Sequence, residues 1–138
     1  MLVLSGSAFP VQEWGELDHD ALGVEMRKLR EKVTGVTDTV IAASDGIPIL
    51  ADISRNVEAA HISALAATEL GVARQAAELT GLGPLNQTVV FGSKGYLAVF
   101  AIGRLSLLVV LGDKGLNLGR LLHESQTVVE RVGAILAS

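Results

Sequence analysis

The residues that could bind a metal or act in catalysis are few and scattered along the chain. The three histidines, His19, His61 and His123, stand far apart, and none has a second histidine or a cysteine at the spacing of a metal site. The chain has no cysteine, which excludes disulfides, thiolate metal sites and a cysteine nucleophile. Isolated histidines on helices are typical of ordinary surface or core positions. We therefore expect no metal site and no cofactor.

A serine nucleophile is not indicated by either of the serine-containing turns. The segment Gly92–Gly95 (Gly-Ser-Lys-Gly) lacks the Gly-x-Ser-x-Gly spacing, and it joins two predicted strands instead of leading a strand into a helix. The segment Ser44–Gly46 (Ser-Asp-Gly) is typical of a hairpin turn, because Asp and Gly tolerate left-handed backbone. Carboxylate pairs such as Glu58 and Glu69 lie on the polar faces of predicted helices, where we expect their side chains to be solvated and not to form a catalytic pair.

A glycine-rich segment, Gly112–Gly119, follows a predicted strand and opens a predicted helix, as a phosphate-binding loop does. Its spacing matches neither the Walker pattern nor Gly-x-Gly-x-x-Gly, and no Lys-Ser/Thr pair follows its last glycine. The simpler interpretation is a tight turn with Asn117 as a helix cap. A shift in melting temperature caused by ATP or GTP alone would favour the enzyme alternative. The sequence predicts a protein that is not an enzyme.

Composition narrows the classes of partner. The 138 residues are 49% apolar but only 19% charged and 4% aromatic, with a formal net charge of −4. No basic patch indicates nucleic-acid binding, and no apolar run is long enough to cross a membrane. The first nine residues lack the basic start of a secretory signal, so we expect a cytoplasmic protein. We expect a tail over residues 1–16 and one domain over residues 17–138.

The elements alternate between helical and strand patterns. Asp18 is a predicted helix cap, and the helix after it carries apolar residues at spacings of four and three. That apolar stripe consists of Leu22, Met26, Leu29 and Val33. Predicted strands occupy residues 38–44, 47–53, 87–92, 96–102 and 106–111, and predicted helices residues 57–80 and the stretch from Asn117 onward.

The last predicted helix has a long apolar stripe. Its members are Leu118, Leu121, Leu122, Val128, Val129, Val132, Ile135 and Leu136. Tight turns make neighbouring strands antiparallel. The sequence predicts an α/β three-layer sandwich of profilin-like order α-β-β-α-β-β-β-α, in which a five-stranded antiparallel sheet has one long helix on one face and two helices on the other.

The central helix over residues 57–80 is apolar nearly all round, which indicates burial on more than one side. Its sheet-facing stripe is predicted to contain Ala59, Ile62, Ala66, Leu70, Ala73 and Ala77. Three large apolar residues lie outside that stripe, namely Leu65, Val72 and Leu79. Small residues occupy a third sector, consisting of Ala60, Ala64, Ala67 and Gly71. Small residues let a second backbone approach closely, so both sets predict contact with a partner chain. The alternative, that alanine is simply a good helix former, leaves the three large residues unexplained.

Four segments together resemble the Roadblock family of dynein light chains and their bacterial relatives. They are Val36–Asp52, the alanine-rich helix, Gly92–Gly103 and Leu111–Leu122. The first carries the Ser/Asp-Gly turn of the family's first hairpin, and Gly95-Tyr96-Leu97 resembles its later Gly-Tyr/Phe turn. The resemblance covers residues 17–137.

The resemblance implies a homodimer formed by the central helix and the adjoining third strand, which correspond here to Glu58–Leu79 and Gln87–Gly92. It thereby adds Thr88 and Val90 to the expected interface. Bacterial relatives regulate Ras-like small GTPases, some by reshaping the GTPase without inserting an arginine finger. The leading hypothesis is a non-enzymatic homodimeric scaffold or regulator that binds such a GTPase or its signalling complex. A small-molecule-sensing or general scaffolding module of the same shape is the alternative.

Overall fold

The structure is a computed structural model that describes residues 2–4 and 18–137. The elements in these residues are β1 (Leu2–Leu4), α1 (His19–Lys32), β2 (Val36–Ala43), β3 (Pro48–Asp52), α2 (Ala59–Leu79), β4 (Gln87–Gly92), β5 (Gly95–Ile102), β6 (Ser106–Asp113) and α3 (Leu118–Ala137). The predicted order of three helices and five strands is confirmed. β1 is an additional strand inside the predicted tail, whose residues 5–16 lie outside the described part.

All strand pairs in the sheet are antiparallel, in the order β1-β3-β2-β6-β5-β4. The two hairpins β2–β3 and β5–β6 are joined through β2 and β6, where Val40 lies opposite Val109. β1 lies beside β3 at one edge, and β4 lies beside β5 at the other. The chain must cross the sheet between β3 and β4, and α2 makes that crossing.

Local sequence signals set the turns and helix ends. Gly46 in the β2–β3 turn has a φ of 91°, and the Asp45 carboxylate accepts a hydrogen bond from the Ile47 N–H at 3.1 Å. The expected left-handed backbone is found at the glycine and not at Asp45, because no described residue other than glycine has a positive φ. Asp18 caps α1 by accepting from the Ala21 N–H at 2.9 Å. Pro48 begins β3 beyond the last residue that pairs with β1, so its missing N–H leaves no gap in that ladder.

Two hydrophobic layers flank the sheet. On one face α1 and α3 pack side by side, with fully buried Leu22, Leu29 and Leu121 against residues such as Leu108. Both apolar stripes predicted for these helices lie in this layer. On the other face α2 alone covers the second core, where Leu70 is 1% exposed. Strand residues alternate between the layers, as the period of two requires.

Gly35 allows the close contact between the end of α1 and the start of α3. Its φ is 98°, and a Cβ there would lie 2.6 Å from the Leu116 Cα. We expect Gly35→Ala to lower the free energy of unfolding by about 2 kcal/mol, because both the left-handed backbone and the backbone contact oppose a side chain. Urea unfolding followed by circular dichroism measures this. Gly81→Ala is the control, since φ there is 68° but a Cβ would meet no atom within 4 Å. Equal losses in both variants would contradict the role of the close contact.

Candidate protein-interaction surface

The outer side of α2 carries large apolar side chains in water. Leu65, Val72 and Leu79 are 67%, 62% and 90% exposed. They are spaced by seven residues, close to two helical turns, so they form one stripe along the helix. The side of α2 about a third of a turn from this stripe is buried against the sheet, as predicted, with Ala66 and Leu70 each 1% exposed. The sheet therefore buries only one of the apolar sides of this helix.

β4 extends this apolar surface to the edge of the sheet. It pairs with β5 on one side, and no strand among residues 2–4 and 18–137 pairs with its other side. Its backbone N–H and C=O groups along that edge are available for pairing with another chain. Val90 and Phe91 on this strand are 47% and 68% exposed.

A side-chain hydrogen bond connects the stripe to β4. The Thr88 hydroxyl donates to the Glu69 carboxylate. Glu69 lies between Leu65 and Val72 on the helix, so this bond places the stripe beside the strand edge. We call the combination of Leu65, Val72, Leu79, Thr88, Val90 and the free edge of β4 the α2–β4 surface.

The predicted small residues lie on a different side of α2. Ala60, Ala64 and Gly71 are exposed, and Ala67 is half-buried against the second core. An added Cβ at Gly71 would meet no atom within 4 Å, so the space over the helix there is open. At 100° per residue, this sector lies about a third of a turn from the apolar stripe. All nine predicted interface residues thus lie on α2 or β4, and none is buried.

A buried carboxylate fixes the segment that leads into α2. Asp38 on β2 is fully buried, and its two oxygens accept from the Ser54 N–H and the Arg55 Nε, both at 2.7 Å. The Thr37 hydroxyl also donates to it at 2.7 Å. Burial would raise the pKa of Asp38, but the hydrogen bonds from Thr37, Ser54 and Arg55 and the charge of Arg55 outweigh burial, so the pKa lies below its ordinary value of 3.8.

The remaining sequence candidates have structural roles here. Two side chains of the Gly112–Gly119 segment accept hydrogen bonds from nearby backbone N–H groups. The Asp113 carboxylate accepts from the Gly115 N–H inside the segment at 2.8 Å, and the Asn117 amide oxygen accepts from the Arg120 N–H in the first turn of α3 at 3.0 Å. Asn117 is thus the predicted cap of α3. In the part of the chain that the structure describes, no cluster of three potential metal ligands occurs, and no helix is long and apolar enough to cross a bilayer.

The expectation that Glu69 is solvated is wrong, because Glu69 is half-buried and accepts a hydrogen bond from the Thr88 hydroxyl. The sequence did not single out Phe91 or Arg55. Phe91, Glu69 and Arg55 have no local pattern that marks them, because their roles depend on which strand is at the edge and which segments meet. The sequence predicts a strand over residues 87–92, but not its position at a sheet edge.

Comparison with known proteins identifies the family. The model of the Roadblock/LC7 domain matches residues 22–112. An uncharacterized protein of Methanocaldococcus jannaschii is 29% identical over 104 residues, which are 75% of this chain and 90% of that protein. The crystal structure of a Roadblock/LC7 domain from Streptomyces avermitilis is 26% identical, with a TM-score of 0.77 over 83% of this chain and 97% of that one.

The gliding protein MglB shares the fold at lower identity. The Thermus thermophilus structure is 16% identical, with a TM-score of 0.79 over 89% of this chain and 93% of that one. A second MglB structure, described as a tetrameric arrangement, is also 16% identical, with a TM-score of 0.80 and coverage of 89% and 92%. The order of elements, the match over residues 22–112 and these neighbours agree: the chain belongs to the Roadblock/LC7 domain family.

Proposed function

We propose that the protein is a non-enzymatic cytoplasmic regulator that forms a homodimer and binds a Ras-like small GTPase or its signalling complex. The α2–β4 surface is the observation that carries this proposal. It combines three exposed aliphatic side chains with an unpaired strand edge, and each feature alone favours association with another chain.

A second copy of the chain would cover the apolar stripe and pair with the edge of β4 at the same time. In a two-fold dimer each protomer contributes the same surface to the interface. β4 therefore pairs antiparallel with β4 of the second copy, and the two apolar stripes meet beside this pair. Pairing of the edges extends the six-stranded sheet into one sheet across two chains. The resemblance to the Roadblock family implies this arrangement, and the tetrameric MglB is a relative that self-associates.

The small residues then supply a place for the GTPase. Because they lie about a third of a turn from the apolar stripe, dimerisation through the stripe leaves Ala60, Ala64 and Gly71 facing outward. Short side chains let a partner's backbone come close to the helix. Regulation by binding agrees with the GTPase-regulating relatives that the resemblance implies.

The partner prediction is tested by affinity capture in two nucleotide states. Tagged protein is incubated with lysate of the encoding organism plus either a non-hydrolysable GTP analogue or GDP, and bound proteins are identified by mass spectrometry. We expect a small GTPase enriched about tenfold in one state, a common size for coupling between two binding events. The purified GTPase should then change its hydrolysis rate when the protein is added.

Two variants control this capture. Leu65→Asp alters the α2–β4 surface and should reduce capture, whereas Val24→Asp changes an exposed α1 residue on the opposite face and should not. A small GTPase that is absent in both states, or captured equally in both, contradicts the regulator role. The first of these results would favour general scaffolding.

A sensor of small molecules would need an enclosed cavity with converging polar groups. The described interior is instead filled by aliphatic side chains, since Leu70, Leu107 and Leu108 are each at most 1% exposed. This packing favours the protein-binding role over the sensor.

A further inference from the structure

A groove opens at the end of α2, on the face of the sheet that α2 covers. Its volume is about 860 Å³. Three segments line it: the last turns of α2 from Arg74 to Glu78, the loop over residues 81–85, and the β5–β6 turn at Gly103 and Arg104. The first two segments are adjacent in sequence, and the β5–β6 turn joins them because α2 crosses the sheet beside that turn.

Two arginines in this groove have no carboxylate partner among residues 18–137. The Arg74 guanidinium donates to the Gly103 carbonyl at 3.1 Å, which holds it at the groove wall. Neither Arg74 nor Arg104 forms an ion pair within the described residues, whereas six other basic residues do. Those six are Lys28, Arg30, Lys32, Arg55, Arg120 and Arg131.

The groove therefore concentrates unpaired positive charge in a chain whose net charge is −4. Glu78 also lines the groove, one helical turn after Arg74, and makes no ion pair with either arginine in the described part of the chain. The side-chain charges in the groove sum to +1. A guanidinium recognises a carboxylate through two parallel hydrogen bonds, which fits an isolated acidic side chain well.

The walls also leave room for a backbone and for apolar groups. Gly81, Gly83 and Gly103 have positive φ, and an added Cβ on any of them would meet no atom within 4 Å. Glycine in such positions lets another chain approach closely. Two leucines next to lining residues, Leu82 and Leu105, are both 78% exposed.

We propose that this arginine groove binds a short acidic segment of a protein partner, a segment in which one or two carboxylates accompany an aliphatic side chain. This rests on the proposed role as a protein-binding module and adds to it a site outside the α2–β4 surface. The arginines pair with the carboxylates, and the exposed Leu82 and Leu105, which neighbour lining residues in sequence, are the apolar side chains available to the aliphatic group. A free inorganic anion would use the arginines but leave both leucines exposed, so the leucines favour a peptide.

The test uses the full chain and a fluorescein-labelled twelve-residue peptide with glutamates and leucines, followed by fluorescence anisotropy. A second peptide has glutamine in place of every glutamate. We expect the glutamate peptide to bind, and the glutamine peptide to bind at least about tenfold more weakly, because charged hydrogen bonds are lost. Added salt should weaken the first interaction.

Two variants test the arginines: Arg104→Glu, and the double variant that combines it with Arg74→Glu. Each should lower the affinity for the glutamate peptide at least about tenfold. Arg104 is exposed and makes no hydrogen bond within the described residues, so its replacement leaves the fold intact. The control combines Arg27→Glu with Lys94→Glu, exposed positions away from the groove, and changes the total charge by the same amount. Its affinity should equal that of the unaltered protein.

Equal binding by the groove variant and the control variant would overturn the proposal, as would equal binding of the two peptides. Inorganic phosphate that competes at the same concentration as the peptide would assign the groove to small anions instead. Sedimentation separates this result from the proposed function: an unaltered protein that dimerises but does not bind the glutamate peptide refutes the groove and leaves the proposed homodimer and its GTPase partner standing.

Discussion

Replacing Leu65 with aspartate is expected to convert the protein from a dimer into a folded monomer. Leu65 is 67% exposed in the single chain, so the substitution removes little from the fold of one protomer. A two-fold interface contains Leu65 twice, and burying one leucine contributes about 1.5–3 kcal/mol. The loss is therefore about 3–6 kcal/mol, or roughly a hundredfold to ten-thousandfold in the dissociation constant.

Sedimentation equilibrium over a range of protomer concentrations measures this change, and circular dichroism verifies that the monomer is folded. Leu105→Asp is the matched control, because Leu105 is 78% exposed but lies in the β5–β6 turn, away from the α2–β4 surface. It should leave the dimer unchanged. A Leu65→Asp protein that sediments as the unaltered protein does, or a control that dissociates equally, would place the interface elsewhere.

The second large effect is expected at Asp38. Replacing Asp38 with asparagine removes a fully buried charge and leaves the Arg55 guanidinium without its carboxylate. Breaking a buried ion pair on one side costs about 3–5 kcal/mol, and we expect about 3 kcal/mol because the Arg55 side chain is 46% exposed and can be partly solvated. Urea unfolding at pH 7 and a fixed protomer concentration measures it, since dimerisation also affects stability.

The same pair predicts how stability depends on pH. The pKa of Asp38 is lower in the folded protein than its ordinary value of 3.8, so the folded state holds the carboxylate charged where the unfolded chain would protonate it. The stabilisation is complete above pH 3.8 and is lost as the pH falls through the folded-state pKa. The difference between the unaltered protein and Asp38→Asn should shrink over that range.

Asp20→Asn is the control, because Asp20 is an exposed residue at the start of α1. It should change the free energy of unfolding by no more than about 0.5 kcal/mol at pH 7. A constant difference between the unaltered protein and Asp38→Asn from pH 7 to below 3 would show that packing, and not charge, is the contribution of Asp38.

Local patterns in the sequence determined the elements of this protein. The spacing of Leu22, Met26 and Leu29 predicts a helix with one buried stripe, and all three are at most 1% exposed in the structure. Asp45 and Gly46 predict a turn of fixed backbone geometry. Such signals act over a few residues, because a helix repeats every 3.6 residues and a strand every two. For the same reason the uncovered apolar side of α2 was visible as a pattern.

The tertiary structure decided what those elements form together. The apolar strand residues of β4 would look the same at an edge or in the middle of a sheet, and only the order of the described strands leaves its outer edge without a partner strand. In the sequence Asp38 is an ordinary residue of a predicted strand, and its role follows only from the fold, which places Arg55 against it. Arg74 and Arg104 are thirty residues apart and share a groove only because α2 crosses the sheet beside the β5–β6 turn. The pairing of distant segments depends on the free energy of the whole packed chain, and the local spacing of apolar residues along a helix or strand carries no information about it.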